Sequence, residues 1–243
     1  LQKEQLKSWF SAVRSLNNPI ASAYLQVLLL TGARREEISS LRWSDIDFKW
    51  SSMRIKDKIE GERIIPLTPY VSELLSALAQ FPNSDVNKEG WVFRSNSKSG
   101  KIIEPRSAHN RALTRAELPH ISLHGLRRSF GTLAEWVEVP TGIVAQIMGH
   151  KPSALAEKHY RRRPLDLLRK WHEKVELWIL EEAKIKDKVD YIVNENHDIV
   201  ENLEVMSSGN EGKRGIVHLV GNIEKVLDNV RNQTASSEES LAA

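Results

Sequence analysis

Hydrophobic residues recur at helical spacing along most of the first 180 positions, and this pattern predicts a mainly helical chain. The opening amphipathic helix has three apolar positions in register, Leu6, Phe10 and Val13. Asn18 is an expected N-cap with Pro19 at the first helical position, and Gly32 should end this second helix. A short helix that buries Ile38 should follow at once.

The period changes between Met53 and Leu67, where apolar residues on either side of Glu60-Gly61 predict a small β-hairpin. Trp43–Asp47 is rich in turn-forming residues and is interpreted as a turn. Trp91–Phe93 predicts a further short strand. The fold class expected from these patterns is mainly α with a small antiparallel β-sheet, that is, α+β.

Further helices are predicted from Pro69, over 106–117, from Ser122, between Pro140 and Gly149, and over 165–182. In the helix that starts at Ser122, His124 and Arg127 are three residues apart and share a face. That face lies off the apolar stripe, so neither side chain needs to be part of the core.

The chain changes character beyond about Ala183, and we expect a domain over 1–182 followed by an acidic helical tail over 183–243. Apolar positions predict amphipathic helices over 189–203 and 216–230, separated by a polar linker over 207–215. The last residues, 233–243, have a composition typical of disorder. Sixty residues with two apolar stripes bury little alone, so the tail should dock on the body or on a partner.

The charge is divided unevenly, although the net value is only +3. Residues 1–170 hold 27 Lys and Arg against 17 Asp and Glu, whereas residues 171–243 hold 8 against 15. The basic body is suited to a polyanion such as DNA, whereas the acidic tail is not.

Several classes of protein are disfavoured by composition. There is no cysteine for a disulfide, a thiol nucleophile or a zinc site. No apolar run approaches the roughly 18 to 20 residues of a membrane span, and the charged amino terminus lacks the centre of a secretory signal. We therefore expect a cytoplasmic protein without membrane contact. Because it opens on Leu1 and not on methionine, the chain is interpreted as a possible fragment.

Five short motifs occur in a characteristic order: Thr31-Gly32-Ala33-Arg34 with Glu37-Ile38; Lys58 in a hairpin leading to Arg63-Ile64-Ile65-Pro66-Leu67; His124-Gly125-Leu126-Arg127; Met148-Gly149-His150; and Tyr160. Together they resemble the catalytic domain of the tyrosine recombinases, specifically the phage and prophage integrases. The resemblance covers about residues 5–180. Each motif alone is weak, but five in order within the expected local structure are specific.

The resemblance implies a catalytic set of Arg34, Lys58, His124, Arg127, His150 and Tyr160. Planar guanidinium groups match the non-bridging oxygens of a phosphodiester, so Arg34 and Arg127 are expected to clamp it. Lys58 is the implied general acid for the departing 5′ oxygen, with Lys56 as its rival.

The other implied roles concern the nucleophile and its surroundings. His124 and His150 would donate hydrogen bonds to the phosphate, and His124 could also take the proton of the nucleophile. Tyr160 would attack phosphorus and leave a 3′-phosphotyrosine, so that rejoining needs neither ATP nor a metal. Glu37 would buttress the site without a chemical part.

By the same resemblance, the partner is double-stranded DNA at attachment sites, bound by a homo-oligomer that is a tetramer on DNA. The tail offers a possible protein contact. Integrases normally carry an amino-terminal core-binding domain, which this sequence lacks, so we expect weak and poorly discriminating DNA binding.

Other interpretations of the same residues stay open. The chain could be a non-catalytic DNA-binding or partner-docking module derived from an integrase, or a type IB topoisomerase. His120 and His124, four residues apart, allow a metal-dependent nuclease, although no third ligand lies near them in the sequence. Arg34 and Arg35 could form surface ion pairs with Glu36 and Glu37, and the arginine run 161–163 is expected to be solvated or to contact phosphates.

Overall fold

The computed structural model describes residues 1–57, 61–81, 90–150 and 163–185. Within them, Leu1–Ala183 form one compact unit. The catalytic candidates Lys58 and Tyr160 lie outside the described residues, as do Arg161, Arg162 and the two predicted tail helices. The division of the chain at residue 182 stays a prediction.

The predicted mainly helical architecture is confirmed. The helices in the described part are α1 Leu6–Arg14, α2 Pro19–Thr31, α3 Arg35–Ser39, α4 Pro69–Ala79, α5 Arg106–Arg115, α6 Leu123–Glu135, α7 Thr141–Met148 and α8 Leu165–Glu182. None of them is long and apolar enough to pass through a bilayer. Helix α2 is the centre of the unit, since it packs against α1, α4 and α6 and is buried from Ala21 to Thr31.

Both ends of α2 form as the sequence predicts. The Asn18 side chain accepts hydrogen bonds from the backbone N–H groups of Ile20 and Ala21, each 3.0 Å long, and caps the start of the helix. Gly32 takes a left-handed conformation with φ of 59° and ends it. A side chain at Gly32 would meet the Phe130 ring, with a Cβ placed 2.5 Å from Cδ1. This close approach brings the chain after Gly32 against α6.

The sheet has three antiparallel strands in the order β1-β2-β3: β1 Ile46–Asp47, β2 Ser52–Asp57 and β3 Gly61–Pro66. The predicted hairpin is confirmed in β2 and β3, where Ile55 pairs with Arg63. Strand β1 lies in the segment interpreted as a turn, and its Ile46 pairs with Met53. The strand was not predicted because it is too short to show an alternation of apolar and polar residues.

The strand predicted at Trp91–Phe93 is wrong. In the described residues this segment makes an isolated bridge from Trp91 to Arg42, and the Val92 N–H donates to the Leu41 carbonyl oxygen at 3.0 Å. The facing chain enters the short helical turn Trp43–Asp45 directly, so pairing cannot continue.

Helix α8 forms over the predicted range, but its buried face includes two ionisable residues. His172 and Glu176 are both fully buried, together with apolar positions such as Val175 and Ile179. Glu176 accepts hydrogen bonds from the Thr68 hydroxyl and from the backbone N–H groups of Tyr70, at 2.8 Å, and Val71, at 3.3 Å. Its carboxyl group therefore caps the start of α4 and fixes α8 to the body.

Candidate active site

Arg34 occupies the N-cap position of α3, immediately after the bend at Gly32. Its backbone N–H donates to Glu37 Oε2 at 2.7 Å, and its Nη1 donates to Glu37 Oε1 at 2.9 Å. Its Nη2 donates to the Gly149 carbonyl oxygen at 2.9 Å, across 115 residues of sequence. The Arg34–Glu37 ion pair considered from the sequence exists, but the Glu37 side chain is 4% exposed, so the pair is not a surface pair.

Arg127, which the helical pattern did not require in the core, is buried, with 4% of its surface exposed. Its Nη1 donates to the carbonyl oxygens of Gly32, at 2.6 Å, and Met148, at 2.7 Å. These acceptors stand at the C-terminal ends of α2 and α7, where helical carbonyls lack partners in their own helix. Hydrogen bonds to both ends allow the charge to be buried.

His150 lies at the same end of α7. Gly149 ends the helix in a left-handed conformation with φ of 72°, and the His150 N–H closes the turn on the Ala145 carbonyl oxygen at 2.8 Å. The pKa of His150 is lowered, first by partial burial and then by the positive charges of Arg127, Arg34 and Arg63. Burial and these positive charges both favour the neutral form of the imidazole.

His124 is exposed on the first turn of α6, which begins where the Ser122 hydroxyl accepts a hydrogen bond from the Gly125 N–H at 3.0 Å. Together with Arg34, His124 lines an open cavity of about 550 Å³. The wall also includes His120, Asn110 and Arg106. Among the residues that the structure describes, no three His, Asp or Glu side chains group as a metal site.

The two lysine candidates differ in what the structure describes. Lys58 lies outside the described residues, directly after β2. Lys56 is within β2, and its Nζ is 2.7 Å from Oδ1 of Asp45, whose side chain is 3% exposed. Lys56 thus pairs with a buried carboxylate.

Arg163 is the described member of the arginine run 161–163. Its Nη1 donates to the Gly142 carbonyl oxygen at 3.1 Å, and its backbone exchanges hydrogen bonds with the Gln146 side chain. It is therefore bound to α7 and not simply solvated.

Arg63 was quoted in a motif but received no role from the sequence. Its side chain is 14% exposed and donates hydrogen bonds to both carboxylate oxygens of Glu37, each 2.8 Å long. The signal in the sequence was an arginine in a short strand between Glu62 and Ile64, both of which point outwards. An arginine at an inward position needs buried hydrogen-bond acceptors, but the pattern does not tell which ones.

The structure thus brings Arg34, Arg127 and His150 together at the C-terminal end of α7, and Arg34 and His124 on one cavity. The chain is also similar to known proteins. A family model described as "Phage integrase family" matches residues 1–164. Prophage integrase IntF of Escherichia coli K12 is 92% identical over 192 residues, which cover 78% of this chain and 41% of that protein. Tyrosine recombinase XerC of Oceanobacillus iheyensis is 30% identical over 167 residues, covering 62% and 52%.

Solved structures share the fold. An integrase from mycobacterium phage Brujita superposes with a TM-score of 0.54 at 21% identity, over 68% of this chain and 55% of that one. The XerA recombinase gives 0.52 at 20% identity, over 72% and 64%. The expected tyrosine recombinase catalytic-domain fold is therefore confirmed. The chain spans about half the length of the curated relatives that it matches.

Proposed function

This chain belongs to the phage integrase family, and from that premise we propose that it carries the catalytic machinery of a site-specific DNA recombinase. The machinery cleaves and rejoins DNA by transesterification. The observation that carries the proposal is the convergence of Arg34, Arg127 and His150 at one helix end, with the guanidinium groups held by backbone carbonyls. Such preorganised positive charge stabilises the negative charge that develops on a phosphodiester under attack.

In the proposed reaction, the Tyr160 hydroxyl oxygen bonds to phosphorus while the bond from phosphorus to the 5′ oxygen breaks. His124 takes the proton of the tyrosine, and Lys58 gives a proton to the departing 5′ oxygen. The product is a 3′-phosphotyrosine and a free 5′ hydroxyl. Because the phosphodiester energy is kept in the covalent bond, the reverse attack by a 5′ hydroxyl rejoins the strand without ATP.

Arg34 and Arg127 are proposed to receive the non-bridging oxygens of the phosphate, and His150 to donate a hydrogen bond to it. The Arg34 side chain is 37% exposed and lines the open cavity, which supports direct contact with DNA. Arg127 is more deeply buried, so it would meet the phosphate at the floor of the site. Glu37 accepts a hydrogen bond from the Arg34 side chain, which supports its proposed role as a residue that positions Arg34.

The proposed partner is double-stranded DNA at attachment sites, bound by a homo-tetramer in the cytoplasm. The basic balance of residues 1–170 supports the DNA partner. A protein contact through the acidic tail is also proposed.

A covalent trapping experiment tests the proposed reaction. The 243-residue chain is incubated, with a chelator present, with duplex oligonucleotides that carry a nick beside a randomised segment. Cleavage near the nick releases a short fragment with a 5′ hydroxyl, so the protein–DNA adduct accumulates and survives denaturant. We expect an adduct whose recovered sequences define the preferred site. The chelator prevents a metal-dependent nuclease from contributing.

Two variants and one control variant identify the residues. Tyr160→Phe should abolish the adduct, whereas Tyr191→Phe, which removes a phenol elsewhere, should leave it intact. Arg34→Ala should slow adduct formation by about 10²- to 10³-fold, the typical effect of removing one group that stabilises an oxyanion. An adduct that persists in Tyr160→Phe contradicts the assignment of the nucleophile. DNA binding without adduct under every condition instead favours the non-catalytic module.

A further inference from the structure

Three consecutive carbonyl groups at the end of α7 each accept a hydrogen bond from a different arginine. Arg63 Nε donates to Ile147 O at 3.1 Å, Arg127 Nη1 to Met148 O at 2.7 Å, and Arg34 Nη2 to Gly149 O at 2.9 Å. The last carbonyls of a helix lack intrahelical partners and carry its partial negative charge. This helix end therefore gathers guanidinium groups that come from β3, α6 and the start of α3.

Arg63 differs from the other two arginines in its further hydrogen bonds. Its Nη1 and Nη2 each donate to a separate oxygen of Glu37, while Nε turns to α7. Glu37 also accepts the backbone and side-chain hydrogen bonds of Arg34. One buried carboxylate thus joins Arg34 to Arg63, and Arg63 joins that carboxylate to the segment that precedes His150.

Gly149 also lies against the Arg63 guanidinium. A Cβ at this position would lie 2.6 Å from Cζ and Nη1 of Arg63, so the guanidinium plane packs directly on the glycine backbone. His150 is the next residue. Any displacement of the Arg63 guanidinium therefore changes the surroundings of Gly149 and of the imidazole that follows it.

We propose that Arg63 is a positioning residue of the recombination site, whose guanidinium clamps Glu37 to the end of α7 and so fixes the orientation of Arg34 and His150. This role rests on the proposed function. Arg63 acts through its neighbours and not on the DNA, since its side chain is 14% exposed and its three nitrogens are engaged with Glu37 and Ile147.

Charge and geometry can be separated with lysine. A lysine would still neutralise Glu37, but its single ammonium group cannot reproduce a planar fork that meets both carboxylate oxygens and a carbonyl. The matched control is Arg54→Lys on the neighbouring strand, where Arg54 is half exposed and its Nε is 3.9 Å from Glu62 Oε2. Both variants keep the charge, and Arg63→Lys alone disturbs the clamp.

The first measurement is the single-turnover rate of adduct formation on the nicked randomised duplexes. We expect Arg63→Lys to be about 10- to 100-fold slower, the size of effect caused by a small misplacement of reacting groups. Its affinity for the same duplexes, measured in a Tyr160→Phe background, should be unchanged. Arg54→Lys should react at the wild-type rate. Equal rates for Arg63→Lys and the wild type would overturn the proposal.

The second measurement needs no chemistry on DNA. The ring signals of His150 are followed by NMR during a pH titration. Arg63→Lys keeps the charge, so a moved ring signal reports displacement. Arg63→Gln removes a positive charge and should raise the pKa of His150, whereas Arg54→Gln should not.

This titration separates the two proposals. A wild-type chain that forms no adduct refutes the proposed function, while the His150 signals still test the clamp. Unchanged His150 signals in both Arg63 variants would overturn the positioning role. If Arg63→Gln fails to fold, Arg63→Lys decides. Loss of cooperative melting in Arg63→Lys, with Arg54→Lys unaffected, would show a folding role and would also overturn it.

Discussion

Gly149 shows how one residue without a side chain supports the site. It combines a left-handed backbone, with φ of 72°, and direct packing of the Arg63 guanidinium. The guanidinium cannot yield without losing hydrogen bonds to Glu37 and Ile147. The glycine is therefore required twice, once by the end of the helix and once by the clamp.

Alanine at position 149 should show both the cost of the left-handed backbone and the cost of overlap with Arg63. Gly100 has the same φ of 72°, but a Cβ there would only make ordinary contacts with Trp91, at 3.6 Å and 3.7 Å. Gly100→Ala should therefore lower the free energy of unfolding by about 1 kcal/mol through backbone strain. Gly149→Ala should lower it by about 1 to 3 kcal/mol more, because overlap is added.

Urea unfolding of the two variants at one pH measures this difference. Adduct formation should fall in Gly149→Ala and stay unchanged in Gly100→Ala. Equal losses of stability in both variants would mean that Arg63 does not press on Gly149 in solution.

The residues of the site were partly predictable. Arg34, Arg127 and His150 could be named as candidates because their motifs are local in the sequence. The burial of Arg127 was missed, since an arginine off the apolar stripe is normally solvated, and its acceptors are 95 and 21 residues away. The partner of Arg63 was hidden for the same reason, with Glu37 at a separation of 26 residues. Periodicity describes faces of elements, whereas long-range pairs decide which charges are buried.

At the scale of elements, α8 holds two buried groups with opposite pH dependence. Burial raises the pKa of Glu176 to about 7, although hydrogen bonds from Thr68, Tyr70 and Val71 oppose the rise. Burial lowers the pKa of His172 to about 4, against its hydrogen bond with the Leu30 carbonyl. Glu176 thus stabilises the fold fully below its ordinary pKa of 4.5 and loses this contribution as pH rises to about 7. His172 contributes above 6.5 and loses its contribution as pH falls to about 4.

The two contributions offset each other in the wild type. Glu176→Gln removes one of them, so the stability of this variant should follow the titration of His172 alone. We expect the stability advantage of the wild type over Glu176→Gln to shrink between pH 4.5 and 7, by an amount on the order of 3 kcal/mol. Urea unfolding at several pH values measures it.

Glu135→Gln, at an exposed glutamate of α6, is the control and should run parallel to the wild type. Parallel curves for Glu176→Gln as well would show that Glu176 does not hold its proton in the folded chain.

Helix existence was more predictable than helix faces. The caps Asn18 and Ser122 and the stop at Gly32 are local signals, and the corresponding helices formed as expected. In α8 the buried face contains His172 and Glu176, whereas the apolar residues Trp171 and Leu177 are only half-buried. These two are stabilised by partners on α2 and α4, which no pattern within α8 can indicate.

At the scale of the whole molecule, the predicted boundary near residue 182 can be tested by truncation. Because Leu1–Ala183 form a compact unit, a chain that ends at Ala183 should keep the thermal midpoint of the full chain. It should also bind DNA more tightly, since residues 184–243 hold 11 Asp and Glu against 7 Lys and Arg.

A chain that ends at Lys170 serves as the contrast, because it loses most of α8 and with it Glu176. It should melt at a markedly lower temperature or fail to fold. If the chain ending at Ala183 also melts early, the last sixty residues belong to the folded unit and the boundary is wrong.

The cap that Glu176 places on α4 has a consequence for biosynthesis. Thr68 and Glu176 are separated by 108 residues, so the first turn of α4 leaves the ribosome long before its acceptor is made. Until then the N–H groups of Tyr70 and Val71 must be satisfied by water. The nascent body therefore cannot lock its final architecture before translation has passed the segment that includes Tyr160. We expect a prematurely terminated product that ends before Glu176 to lack this cap and to be degraded more readily by quality-control proteases.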